Sequence, residues 1–153
     1  MRNKKGFTLI ELLVVIAIIG LLATLAIVAL QNARQKSRDA KRVSDVKQLQ
    51  TSLDLYYSDN NTYPAVAAPI QLGKPGTSDA LCSGGFVGVG DASCSGVGNV
   101  AYMERVPADP VNNATYIYQY TGDATSFTIT FELEGATGGL AAGAHTASPA
   151  GIQ

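Results

Sequence analysis

The stretch from Gly6 to Leu30, GFTLIELLVVIAIIGLLATLAIVAL, constrains this chain more than any other. Phe7 to Leu30 are 24 residues with a single ionisable side chain, Glu11. A helix rising ~1.5 Å per residue reaches ~36 Å over that length, enough to cross a hydrocarbon core of roughly 30 Å. A charged side chain inside such a span costs about 2.5 to 3.5 kcal/mol on insertion scales, so Glu11 calls for a partner that recovers the cost. The segment is predicted to be a membrane helix with one charge to account for.

The net charge of −1 hides a segregation along the chain. Arg2, Lys4 and Lys5 precede the span, and residues 31–50 carry six bases against Asp39 and Asp45. From Thr51 onward only Lys74 and Arg105 oppose nine acids. A basic neck therefore leads into an acidic head. About 120 residues follow the span, which is enough for one small domain with its own core.

Helical character is predicted to continue beyond the membrane. The first proline is Pro64, and Gly20 is the one glycine between Phe7 and Tyr63. Val43, Val46, Leu49, Leu53 and Tyr56 step by three or four residues, an apolar stripe on a helix, with Arg42, Asp45, Lys47 and Asp54 assigned to the opposite side. One helix from about Thr8 to Tyr57 would be ~75 Å long. Asp59-Asn60-Asn61 and Pro64 end it.

Residues 65–98 are Gly-rich and sparsely charged, and read as a long connection. Such loops are uncommon in compact domains unless functional or pinned. Cys82 and Cys94 lie within it, and a disulfide between them is the favoured reading, its loop closure contributing roughly 3 kcal/mol. Free thiols are the alternative in a reducing exterior. No metal site is predicted, because the one histidine, His145, is remote and there is no second Cys pair. Gly88-Val89-Gly90 and Gly96-Val97-Gly98 do not read as phosphate loops, since neither sits between a strand and a helix.

Downstream, Ala101 to Pro110 reads as a short bridging element. Thr115–Thr121 and Ser126–Glu134 alternate in the period-2 manner of strands, with Gly122-Asp123 as the turn of a hairpin. Tyr116, Tyr118 and Tyr120 share one face of the first strand. Phe127, Ile129, Phe131 and Leu133 share one face of the second, which is expected to pack on the Val46/Leu49/Leu53 stripe. The tail from Gly135 is predicted to add a short final strand near Leu140 and otherwise to be mobile. The expected fold is α+β: a long N-terminal helix on a small antiparallel sheet. Ser/His/Asp and Cys/His mechanisms lack their partners here, so no catalytic residues and no cofactor are expected.

Lys4 to Glu11, K-K-G-F-T-L-I-E, resembles the leader and cleavage site of type IV pilins and type II secretion pseudopilins. The resemblance covers about the first 64 residues and implies a leader, 1–6, cut between Gly6 and Phe7 by a prepilin peptidase. N-methylation of the Phe7 amine would follow. Glycine before the scissile bond, with no Cβ, suits a peptidase working at a membrane face. The resemblance divides the remainder into a filament-core helix, 7–30, and a pilin head, 31–153, whose parts are the amphipathic helix half (31–57), the disulfide loop (65–98) and the sheet (115–134). It further implies a helical homo-oligomer, inner-membrane assembly machinery, and a single-pass membrane state with a cytoplasmic N-terminus before assembly and a surface filament afterwards. Bases flank both ends of the span, so this orientation rests on the resemblance.

In such a filament the Glu11 carboxylate would pair with the Phe7 amine of a neighbouring subunit, the alternative being recognition by the processing enzymes alone. Many filament pilins carry a proline where this chain has Val28, which leaves Gly20 as the predicted point of melting on assembly. Val106-Pro107-Ala108-Asp109-Pro110 resembles the segment before the sheet in G-like pseudopilins, a group in which a calcium site follows. Asp123, Thr125 and Ser126 are too sparse for the six to eight oxygens calcium takes, and no metal is expected. The basic neck suits lipid headgroups or acidic heads of neighbouring subunits better than nucleic acid. The leading functional reading is a subunit of a type IV pilus-like filament serving adhesion, motility, DNA uptake or secretion. A type II secretion pseudopilin and a non-polymerising, membrane-anchored display protein are the alternatives.

Overall fold

The computed structural model describes residues 6–95 and 97–153. The basic leader residues Arg2, Lys4 and Lys5, and Gly96 of the second GVG fragment, lie outside the described residues. The chain divides into two units, Met1–Gln35 and Lys36–Gln153.

In the first unit the described structure is the opening of helix α1, Leu9–Asn60. Its apolar side chains face outward, Leu12, Ile16, Leu21 and Leu25 among them. By length and composition this helix can cross a membrane, which fits a single-pass anchor. The one hydroxyl well inside the span is internally satisfied, Thr24 Oγ1 donating to the Leu21 carbonyl at 2.8 Å. Gly20 is helical, and a Cβ added there would meet nothing within 4 Å.

In the second unit the rest of α1 buries Asp39, Arg42, Asp45, Val46, Leu49, Ser52, Leu53 and Tyr56. The predicted stripe holds from Val46 onward. Toward the N-terminus it continues through Arg42 and Asp39, leaving Val43 only partly buried. Arg42 and Asp45, expected on the polar side, are therefore core-facing.

Two antiparallel sheets complete this unit. The larger has the order β1-β5-β6-β7-β8, with β1 Ile70–Gln71, β5 Gln119–Gly122, β6 Phe127–Leu133, β7 Gly143–Ser148 and β8 Gly151–Ile152. The smaller has β3 Gly85–Val87, β2 Ala80–Cys82 and β4 Ala101–Met103. Phe127, Ile129, Phe131 and Leu133 are buried while Thr128, Thr130 and Glu132 point outward, and the buried set joins Val46, Leu49 and Leu53 in one core. The expected hairpin exists, with Gly122 opposite Phe127 and Asp123 N–H donating to the Ser126 carbonyl at 2.9 Å.

Three expectations are corrected. The first hairpin strand starts at Gln119 rather than Thr115, because Asn113 Oδ1 accepts from the backbone N–H of Thr115 and Tyr116 at 2.9 and 2.8 Å and turns the chain. Tyr118 and Tyr120 are nevertheless fully buried. The 65–98 connection is not one long loop: it contributes β1 to the main sheet, forms the β2–β3 hairpin, and ends in a 3₁₀ turn, Ala92–Cys94. The tail is ordered rather than mobile, with a lone bridge between Thr137 and Leu140 and β7 laid along β6 from Leu133 to Ile129. Its small residues gave little hydrophobic signal, yet Ala147 is fully buried opposite Ile129.

Just after β1, the backbone at Gly73 passes close to the segment before the hairpin. Its φ is +67°, and a Cβ there would sit 2.6 Å from both the Ala108 nitrogen and the Pro107 carbonyl oxygen. Gly73→Ala is expected to cost about 2 to 4 kcal/mol through left-handed strain and the backbone clash, read as a lower urea midpoint of the full chain in detergent.

Candidate functional site

The residues expected from the sequence to serve processing and assembly lie at the start of α1. Gly6 and Phe7 precede the helix, and Phe7 is 86% exposed. Thr8 caps the helix and Glu11 answers it three residues on. Thr8 N–H and Thr8 Oγ1 donate to Glu11 Oε2 at 2.8 and 2.7 Å, while Glu11 N–H donates to Thr8 Oγ1 at 3.2 Å. This reciprocal capping box satisfies helix-end donors that hydrocarbon could not. The carboxylate thus has a local partner in the isolated chain, and its negative charge lies at the positive end of the helix dipole. Thr8 escaped the reading of the apolar run, although the T-x-x-E spacing is a recognisable sequence signal.

Cys82 and Cys94 are joined as a disulfide with Cα atoms 5.1 Å apart, tying the 3₁₀ turn to β2. Ser83 Oγ donates to the Ser93 carbonyl at 3.1 Å alongside it. The structure brings Gly6, Phe7 and Glu11 into one segment, and places Gly20 and the cysteines elsewhere in the chain.

The second unit holds a charged clasp that the sequence reading missed. Arg42 is fully buried. Its Nε and Nη2 donate to Asp109 Oδ2 and Oδ1 at 2.7 and 3.1 Å, and its Nη1 donates to Asp39 Oδ1 at 2.6 Å and Glu134 Oε1 at 2.7 Å. The Tyr116 ring lies 4.6 Å from the guanidinium carbon, a cation–π contact. Arg38 Nε adds a donor to Glu134 Oε1 at 2.7 Å. The acids in turn hold backbone: Asp39 accepts from Glu134 and Gly135 N–H, and Asp109 from Val111 and Asn112 N–H. Beside the clasp, Asp45 accepts from Lys41 Nζ at 2.7 Å and from the Tyr118 hydroxyl at 3.2 Å.

These contacts set the protonation states. Burial works against the Arg42 charge, but Asp109, Glu134 and Asp39 outweigh it and hold the guanidinium above its ordinary range. Burial likewise opposes ionised Asp109, and the Arg42 fork with two backbone N–H groups brings its carboxyl below the usual value. The Arg38 hydrogen bond, with help from Arg42, draws Glu134 down from 4.5 to about 2. Burial, reinforced by the negative charge of Asp45, pushes the Tyr118 hydroxyl up and keeps it a donor.

A group with a depressed folded pKa stabilises above its unfolded pKa, and that contribution is lost as pH falls through the folded value. For Glu134 the window runs from about 4.5 down to about 2. The melting temperature of the full chain in detergent is expected to fall steadily across that interval. Glu134→Gln should flatten the slope while lowering stability at neutral pH, and an unchanged slope would contradict the assignment.

The clasp also bears on the neck. Arg38, Lys41 and Arg42 pair with acids of their own chain, whereas Arg34, Lys36 and Lys47 make no ion pair among the described residues. The calcium implied for G-like relatives is not matched by this donor set. Asp123 Oδ1 already accepts from Thr125 N–H, Thr125 Oγ1 and Ser126 N–H at 2.7, 2.8 and 2.9 Å as a turn cap. No group of three or more His, Cys, Asp or Glu able to hold a metal ion is found among the described residues.

Comparison with known proteins agrees with both units. The family profile described as "Prokaryotic N-terminal methylation motif" matches residues 1–27, and that described as "Type II secretion system (T2SS), protein G" matches residues 29–146. A relative from Vibrio cholerae, named type II secretion system core protein G, is 31% identical over 94% of this chain and 90% of its own length. Proteins of the same name from Aeromonas hydrophila and Escherichia coli are 36% and 34% identical, over 73% and 72% of this chain and 71% and 69% of theirs. No solved structure matches at a significant level. These findings favour the secretion alternative over the type IV pilus reading placed first on sequence. With a prepilin methylation motif at its N-terminus and the protein G profile across its head, the chain belongs to the type II secretion system protein G family of pseudopilins.

Proposed function

We propose that the chain is a structural subunit of a pseudopilus-type filament in a type II secretion-like machine, cut between Gly6 and Phe7 and methylated at Phe7 before it polymerises through its N-terminal helix. The observation that carries this reading is the protein G match over residues 29–146, directly following the methylation motif over 1–27. The physical support is an exposed apolar helix, whose surface needs lipid before assembly and neighbouring copies afterwards. A head-to-tail contact between identical subunits that does not close grows a filament. The partners are a prepilin peptidase and methyltransferase, inner-membrane assembly proteins and further copies of the chain. The role is structural rather than catalytic.

Mass spectrometry of the exported protein is expected to give an N-terminus at methylated Phe7, and any other mature end sinks the processing claim. Electron microscopy of sheared surface material from overproducing cells, with and without the gene, then tests assembly. Gene-dependent fibres support the filament. Correctly processed protein that stays as dispersed membrane-anchored heads would favour the display reading instead.

A further inference from the structure

We infer that Arg42 is a built-in cation for the head: its guanidinium joins Asp39, Asp109 and Glu134 and engages the oxygens a divalent ion would have to take from them, so the head is clasped without metal. The carboxylates come from three separate places, Asp39 from α1, Asp109 from the segment before the hairpin, and Glu134 from just beyond the end of β6. Two buried acids, Asp39 and Asp109, and the partly buried Glu134 would repel one another without a cation between them. Arg42 supplies that cation, and the geometry leaves little for a second. Both Asp109 oxygens take the guanidinium fork, Asp39 shares its oxygens between Nη1 and two backbone N–H groups, and Glu134 is divided between Arg42 and Arg38. A calcium ion takes six to eight oxygens, which these acids could offer only by abandoning Arg42 and the backbone they cap. A guanidinium also does what calcium cannot: its planar donors fix each carboxylate's direction, and Tyr116 packs against its face.

The inference holds whether or not the chain polymerises. It predicts how the full chain, purified in detergent, responds to calcium. By near-UV circular dichroism the unmodified protein should unfold at the same temperature, within about 1 °C, in excess calcium and in EGTA. Calorimetric titration with calcium should show no saturable binding. Arg42→Met, which leaves the acids without their cation, should lower the midpoint by at least about 10 °C. Should that variant fail to accumulate, Arg42→Lys carries the same arm, because the ammonium keeps the charge and loses the fork. A drop of more than about 5 °C in EGTA, saturable calcium binding by the unmodified chain, or an Arg42 variant that melts with the original protein would overturn the inference.

Discussion

Glu11→Ala is expected to leave the protein inserted and cut at Gly6–Phe7 while reducing assembled fibres at least tenfold. In the isolated chain the carboxylate is held by Thr8, so its removal costs one helix cap, about 1 kcal/mol. Between packed helices the cost is larger. There the Phe7 amine of a neighbour would lose its counter-charge in an apolar surrounding, and breaking a buried pair costs about 3 to 5 kcal/mol. At roughly 1.4 kcal/mol per factor of ten, each subunit addition weakens by at least about a hundredfold. Membrane fractionation, the mass of the processed species and the yield of sheared fibres separate the two effects. Normal fibre yield would refute an assembly role for Glu11, and loss of cleavage would instead assign it to recognition by the peptidase.

Asp109→Ala should destabilise the head by about 3 to 5 kcal/mol, against no more than about 0.5 kcal/mol for the exposed acid Glu104. The substitution strips Nε and Nη2 of Arg42 of their acceptors and orphans the backbone N–H of Val111 and Asn112. Asp109→Asn keeps an acceptor for the backbone but not the charge, and should fall between the two. Urea unfolding of the full chain in detergent provides the measurement. A loss below about 1 kcal/mol for Asp109→Ala would mean that water reaches the Arg42 fork.

The helix and the hairpin core were legible because each has a hydrophobic period: Val46, Leu49, Leu53 and Tyr56 at helical spacing, and Phe127 through Leu133 at strand spacing. The clasp was not legible, because a buried charge looks in sequence like a solvated one. Arg42 and Asp45 were read onto the polar face, and only their partners, 67 and 73 positions away, bring them inside. Strand β7 was hidden for the opposite reason, since Ala144 to Ser148 carry too little apolar contrast to show a period. At the functional end, the Lys4 to Glu11 motif was read directly, whereas the part played by Thr8 emerged from its hydrogen bonds to Glu11. The resemblance over the first 64 residues was read for pilins and pseudopilins alike, and the protein G match over 29–146, which extends through the head, favours the secretion reading.

The most direct test of the central claim is a cryo-electron microscopy reconstruction of fibres assembled from this chain. The expected result is N-terminal helices gathered at the axis, each Phe7 amine within ion-pair distance of a neighbour's Glu11, with α1 opened near Gly20. A fibre in which Glu11 stays bonded only to its own Thr8, facing solvent or lipid, would contradict it.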